Sequence, residues 1–207
     1  MAELTFYTNP MSRGRMVRWL LEELGVPYET RVIAYGPEMK SAEYLAINPM
    51  GKVPAIQHKG QVVTEVAAIC AYLADAFPQA GLAPAVDSPA RASYYRWLFF
   101  GAGPMEYAIS NQACGFVPDE KQRRFVGYGS MAEVLNALEQ VLSANDYLAG
   151  TQFTAADVYV GSQIGWGMQF KTIEPRPVFE AYWQRLVARP AAQRAAEIDN
   201  ALLEAKG

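Results

Sequence analysis

The chain has 207 residues, of which 51% are hydrophobic and 19% charged, and it carries a formal net charge of −3. That composition supplies a core for one domain or two small ones and excludes disorder, and the weak acidity excludes a basic field for nucleic acid or anionic lipid. No apolar run approaches the roughly 20 residues that span a bilayer, and the opening MAELTFYTNP lacks the basic-then-apolar order of a targeting segment. A cytoplasmic protein with neither a nucleic-acid nor a membrane partner is expected.

The first element in chain order is ELTFY, whose apolar and polar residues alternate as in a short strand. TNPMS breaks it, and from Ser12 to Leu24 the residues Met16, Trp19, Leu20 and Leu24 recur at helical spacing until Gly25 and Pro27 end the segment. YETRVIA is the next strand, and strand, helix, strand over about 30 residues is a βαβ unit with parallel strands. The connection YGPEMK leads to a short helix, SAEYLAI, which the turn formers of NPMGKVPAI stop. VPAIQ and QVVT, joined by HKG, form a hairpin, and EVAAICAYLADAF is a helix ending at Pro78. A proline opening a strand marks an edge or a site where backbone groups stay unpaired, so Val53-Pro54 predicts main-chain atoms of Val53 available to a ligand.

Residues 1–78 are thus predicted as one β-α-β-α-β-β-α domain, and 79–87, flanked by Pro78 and Pro89 and holding Pro84, as a linker. Everything from 88 to 207 is helical in pattern. Asp87 and Ser88 can cap a helix through ARASYYRWLFFGAGPMEYAISNQA that Pro104 is expected to kink or divide. A long amphipathic segment, DEKQRRFVGYGSMAEVLNALEQVLSAN, carries the core stripe Met131, Leu135, Leu138 and Leu142. Thr154 and Asp157 have capping-box spacing ahead of an apolar helix, and two final helices, 178–188 and 190–204, divide at Arg189-Pro190. The predicted fold class is an α/β domain followed by an all-α domain.

His58 is the only histidine and lies in the turn-like QHKGQ, where an exposed imidazole is expected, so a Ser-His-Asp triad or a His-clustered zinc site is excluded. Cys70 and Cys114 lack CxxC spacing and are expected to be buried free thiols, with no metal site. Chemistry then falls to hydroxyls, amides, carboxylates and cations. Ser12 stands at the start of the first helix, where serine is a preferred cap. A hydroxyl there also faces the positive end of a helix, with Arg13 and Arg15 adding charge, and such a place holds a thiolate. Lowering a thiol pKa by about 2 units corresponds to roughly 2.7 kcal/mol in favour of the ionised sulfur. Tyr7, at the end of the first strand, and Asn9, in the turn, are alternative donors. Lys52 is a solvated cation or an anion ligand, and Glu65 is a helix-start carboxylate or a partner for an ammonium group.

The order of Ser12 to Gly25, then NPMGKVPAI, then TEVAAICAYLA, then FTAADVYVG resembles the glutathione transferase family, bacterial cytosolic branch with a serine-type first helix, over essentially the whole chain. The resemblance implies a thioredoxin-like N-terminal domain with a cis proline at Pro54, so that the backbone of Val53 pairs with the cysteinyl part of glutathione, the co-substrate. It implies that Glu65 holds the γ-glutamyl ammonium and that Lys52 or Lys40 meets the glycyl carboxylate. Val66 departs from the pattern, since most relatives place serine there for the γ-glutamyl carboxylate, and valine offers only its N–H. Ser12 matches the activating hydroxyl, with Tyr7 and Asn9 behind it and Met11 where some classes put the serine. The family builds an electrophile pocket between its halves, for which Met11, Phe100, Met105, Tyr107, Trp166 and Phe170 are candidates by position. Relatives are homodimers, to whose contact Tyr72, Tyr94, Tyr95 and Trp97 are candidate contributors. The expected function is detoxifying conjugation of the glutathione thiolate to small hydrophobic electrophiles. Reductase and lyase branches, which place cysteine near position 12, fit less well, and Val66 leaves open a non-catalytic interaction or stress-response module.

Overall fold

The computed structural model describes residues 3–205; residues 1, 2, 206 and 207, the outer ends of the two expected domains, lie outside the described residues. The chain begins with β1 (Leu4–Thr8), α1 (Gly14–Leu24) and β2 (Glu29–Val32). β1 and β2 run parallel, with Phe6 opposite Thr30, as the right-handed βαβ connection requires. Gly25 closes α1 in the left-handed region at φ 64°, and its N–H returns to the carbonyl of Leu21. A tight turn at Glu38–Lys40 leads into α2 (Ala42–Ile47), capped by the Ser41 hydroxyl, which accepts from the Tyr44 N–H.

β3 (Ala55–His58) and β4 (Gln61–Thr64) form a hairpin through Lys59 and Gly60, both at positive φ, which suits the twist of a two-residue loop. The sheet has the order β2-β1-β3-β4, with β3 antiparallel to both of its neighbours. α3 (Val66–Ala76) follows. Leu4, Phe6 and Thr8, on one face of β1, are buried, as are Leu20 and Leu21 of α1 and Ile69 and Leu73 of α3, and α1 packs on both β1 and α3. The other face carries Tyr7 against Ile33, Met39 and Tyr44.

His58 corrects the expectation of an exposed imidazole, because it is only 3% exposed. It lies on the buried side of β3 two residues after Ile56, its Nδ1 is 2.9 Å from the Tyr72 hydroxyl, and its ring packs on Phe77. Cys70 is a buried free thiol, whereas Cys114 is exposed, contrary to expectation. Cys114 falls at the C-terminal cap of its helix, just ahead of Gly115 at φ 78°, where the helix stops.

The helical elements are α4 (Ala90–Phe100), α5 (Glu106–Ala113), α6 (Met131–Ala144), α7 (Ala155–Gln169) and α8 (Pro177–Val187). Pro104 does not end the α4 direction; it widens it into a π-helical turn, Gly101–Met105, which accommodates the missing N–H before α5 resumes. The long segment expected over 119–145 is shorter as a helix. Gly127 and Gly129, the latter at φ 66°, hold the chain in turns, and α6 starts only after Ser130, whose hydroxyl accepts from the Glu133 N–H. Thr154 and Asp157 form the capping box, and the Asp157 carboxylate also accepts from the Leu148 N–H and the Tyr182 hydroxyl. Burial pushes the Asp157 carboxyl up from its ordinary range while these donors pull it back.

The last helix, α9 (Pro190–Glu204), packs along α1. The chain therefore divides into two compact units, one formed by Met1–Ala80 with Ala188–Gly207 and the other by Gly81–Val187. The sequence places the boundary in the 79–87 linker and assigns α9 to the helical half; by contacts, α9 groups with the N-terminal unit. Among the described residues, no helix is long and apolar enough to cross a membrane.

Candidate active site

The strand register brings three candidate segments to one end of the sheet. Tyr7 sits opposite Ala55, and Ala55 opposite Thr64. The turn that follows β1, the Val53-Pro54 pair that precedes β3, and Glu65 with Val66 after β4 therefore share that end.

The turn of residues 9 to 12 is held by its own polar groups. The Ser12 N–H donates to the Asn9 carbonyl at 3.0 Å, and the Ser12 hydroxyl donates to the same oxygen at 2.7 Å. That hydroxyl oxygen accepts from the Gly14 N–H at 2.9 Å, so Ser12 caps the approach to α1 while its side chain stays half-exposed. Gly14 permits this closeness, since a Cβ there would lie 2.0 Å from the Thr8 hydroxyl oxygen and 3.0 Å from that of Ser12. Asn9 is buried with both ends of its amide in use: Nδ2 donates to the Ile33 carbonyl, and Oδ1 accepts from the Met11 N–H. Met11 is 74% exposed, and its carbonyl accepts from the Tyr35 hydroxyl. The Arg15 guanidinium reaches back, with Nε donating to the Pro10 carbonyl at 2.6 Å and Nη2 to Asn200 Oδ1 at 2.7 Å. Arg13 and Arg15 both stand at the positive end of α1, an arrangement that an anion relieves.

Val53-Pro54 is a cis peptide, as the resemblance implies. Among the described residues, neither the N–H nor the C=O of Val53 has a hydrogen-bond partner. The preceding carbonyl, that of Lys52, accepts from the Tyr44 hydroxyl at 2.7 Å and from Asn48 Nδ2 at 2.8 Å. Burial pushes the Tyr44 phenol up to about 12. Glu65 is exposed, at φ 67°, and its side chain makes no capping hydrogen bond. A non-glycine residue held in that region is strained by about 1–3 kcal/mol, an outlier of the kind found at ligand clamps. Val66 opens α3 and is buried.

Lys40 and Lys52 line a cleft of about 380 Å³ with Tyr35, Gly36, Pro37, Met39 and Gly51. Lys40 Nζ donates to the carbonyls of Met50 and Gly51, and Gly51, at φ 56°, leaves no room for a Cβ, which would lie 2.8 Å from that Nζ. Tyr7 lies apart from the turn hydroxyl, on the α2 side of the sheet, where its hydroxyl donates to Gln57 Oε1 at 3.4 Å.

In the helical unit Met105 is fully buried, Phe100 packs edge-on against Trp97 at 5.1 Å, and Trp166 is half-buried. Tyr107 and Phe170 are 62% and 69% exposed. Tyr94 and Trp97 are core residues of that unit, Tyr95 is exposed, and Tyr72 in the other unit is bonded to His58. Sequence reading missed Gly14, Tyr35 and Asn200. The GR pair at the helix start is a local signal for the first, but nothing local pairs residue 200 with residue 15.

The family descriptions "Glutathione S-transferase, N-terminal domain" and "Glutathione S-transferase, C-terminal domain" match residues 11–76 and 98–190. The chain is 30% identical over 214 residues to Glutathione S-transferase 3 of Zea mays, covering 94% of this chain and 93% of that protein. It superposes with a TM-score of 0.80 on a glutathione transferase of Methylococcus capsulatus, at 29% identity, covering 95% of this chain and 98% of that one. A glutathione transferase of Phanerochaete chrysosporium in complex with oxidized glutathione also gives a TM-score of 0.80, at 26% identity, covering 96% and 97% of the two chains.

Proposed function

The chain belongs to the glutathione S-transferase family, and from that premise we propose that it conjugates the sulfur of glutathione to small hydrophobic electrophiles. The Ser12 hydroxyl releases the Asn9 carbonyl and donates instead to the sulfur, whose proton has passed to solvent. The Gly14 N–H, by donating to the same oxygen, polarises that hydroxyl and strengthens its donation. The thiolate then forms a C–S bond, and either a leaving group departs with the displaced electron pair or an activated double bond takes up a proton from water. Holding both reactants together removes much of the entropic barrier.

Ser12 stands ahead of its alternatives because its hydroxyl is half-exposed at the start of α1, whereas Asn9 is buried with both ends of its amide in use and Tyr7 packs on the opposite face of the sheet against Met39 and Tyr44. In this reading the backbone of Val53 pairs with the cysteinyl unit, Glu65 takes the γ-glutamyl ammonium, the Val66 N–H takes its carboxylate, and Lys40 or Lys52 takes the glycyl carboxylate. The highly exposed Met11 beside Ser12 supports an apolar co-substrate, and Phe100, Met105, Tyr107, Trp166 and Phe170 remain pocket candidates. The reading extends to a cytoplasmic homodimer with a glutathione domain over 1–78 and a helical domain over 88–207.

The observation that carries the proposal is the half-exposed Ser12 hydroxyl at the start of α1, at the sheet end it shares with Val53 and Glu65. Calorimetric titration with glutathione, followed by conjugation assays with activated aryl chlorides and enones, tests it. Binding at up to millimolar ligand with turnover of either class is expected; no heat and no turnover overturn it and favour an interaction module.

A further inference from the structure

Each carbonyl of the turn from Asn9 to Met11 is tied to a different anchor. The Asn9 carbonyl accepts from Ser12, that of Met11 from the Tyr35 hydroxyl, and that of Pro10 from the Arg15 guanidinium. The first two anchors belong to the turn and its neighbouring loop. The third depends on the far end of the chain, because Arg15 is held in place by Asn200 on α9.

Arg15 needs such a partner. A cation in the first turn of a helix is disfavoured by the positive end of the dipole, and a long side chain left to itself samples many rotamers. Two contacts fix it, one to the Pro10 carbonyl at 2.6 Å and one to Asn200 Oδ1 at 2.7 Å. Asn200 in turn is placed by an antiparallel run of ionic contacts between α1 and α9. Arg189 grips Glu23 with both Nε and Nη2, Arg194 meets Glu22, and Asp199, the neighbour of Asn200, meets Arg18.

We infer that Asn200 is a positioning residue for thiol activation: it holds Arg15 on the Pro10 carbonyl, and that contact fixes the turn that aims the Ser12 hydroxyl. The inference rests on the functional reading above and adds to it a control point that touches neither glutathione nor the electrophile. Replacing Asn200 frees Arg15, loosens the turn and misaims the hydroxyl. Binding of the tripeptide is spared, because the groups assigned to its other parts sit on the Glu38–Lys40 turn and on the segments around β3 and β4, not on the 9–12 turn.

The test is the pH profile of kcat, the absorbance titration of the bound thiolate, and the split between kcat and KM for glutathione. The proteins are wild type, Asn200→Ala, Asn200→Asp and Ser12→Ala, each with its melting temperature. Asn200→Ala is expected to raise the bound thiol pKa by about half a unit to one unit and to lower kcat about 3- to 10-fold at pH 6.5, with KM within twofold of wild type. Asn200→Asp keeps the acceptor oxygen and is expected to restore kcat to within about twofold to threefold. If Asn200→Ala matches wild type while Ser12→Ala falls, the inference is overturned and the functional reading stands. Equal losses in both Asn200 variants, or a loss of KM and melting temperature together with kcat, also overturn it. A wild-type protein whose bound glutathione shows no ionised thiol overturns the functional reading, and the inference with it.

Discussion

Arg18 and Asp199, 181 positions apart in the chain, meet at 3.2 Å with both side chains buried. The Arg18 guanidinium also donates to the Tyr28 hydroxyl and to Thr30, and lies over the Phe6 ring at 5.0 Å. Burial pushes the Asp199 carboxyl up, and Arg18 pulls it back. Removing one member of such a pair strands the other charge in the interior, so Asp199→Ala is expected to cost about 3–5 kcal/mol in urea unfolding. The double change Arg18→Met with Asp199→Leu is expected to recover most of that loss; a double variant as unstable as the single one would refute the assignment to a stranded charge.

Ser12→Ala removes the only hydroxyl of the 9–12 turn. At pH 6.5 the conjugation rate is expected to fall about 10- to 100-fold, and the pH profile to move up by about 1–2 units, the amount a lost hydrogen bond to the thiolate explains. Stopped-flow measurement across pH 5.5 to 9 checks this, and an unmoved profile transfers the role to Tyr7.

Val66→Ser adds a hydroxyl at the first position of α3. If the γ-glutamyl carboxylate lies there, the extra hydrogen bond is worth about 0.5–1.5 kcal/mol, a gain of up to roughly tenfold in glutathione affinity by calorimetry. Since Val66 is buried, its replacement also costs some fold stability. Unchanged or weaker affinity would place the carboxylate elsewhere.

The two cysteines should react differently. Burial pushes the Cys70 thiol up to about 12, whereas Cys114 is exposed. A colorimetric thiol reagent at pH 8 is expected to modify Cys114 rapidly and Cys70 only after unfolding, with Cys114→Ser silencing the fast phase.

The phenols of Tyr28 and Tyr44 are each pushed up to about 12, chiefly by burial, from an ordinary value of 10.0. Between those values the folded protein keeps protons that the unfolded chain releases. Their contribution to stability is therefore complete below pH 10 and drains away as the pH climbs toward 12. Spectrophotometric titration should show these phenols ionising together with alkaline unfolding, and the double change Tyr28→Phe, Tyr44→Phe should flatten that part of the stability curve.

Much of the fold is legible because its signals are local. The helical spacing of Met16, Trp19, Leu20 and Leu24, the glycine after it, and the Thr154–Asp157 box each act within a few residues of themselves. His58 shows where a local signal was overruled by another: its turn-like neighbourhood suggested exposure, but two-residue alternation from Ile56 places it inside. The helix expected from residue 119 is confined to its striped part, Met131 to Leu142 within α6, because Gly127 and Gly129 leave the residues ahead of it in turns. Of the candidate segments, the sequence alone marks the turn at Ser12, the strand start at Val53 and Pro54 and the helix start at Glu65, because turn chemistry and strand register act nearby, and the register brings them to one end of the sheet. The contact of Arg15 with Asn200 is not legible, because nothing local pairs α1 with a helix that begins only at Pro190, whose packing on α1 also brings Arg189 to Glu23 and Arg194 to Glu22.

The placement of α9 also sets an order of events during synthesis. The unit that holds the Ser12 turn is interrupted in the chain by the whole of Gly81–Val187 and is completed only by the stretch after it. On the ribosome the interrupting unit, being contiguous, can fold as soon as it emerges. The earlier residues lack the last helix until it leaves the exit tunnel, and until then the surface of α1 that receives it stays bare, an exposed target for chaperones.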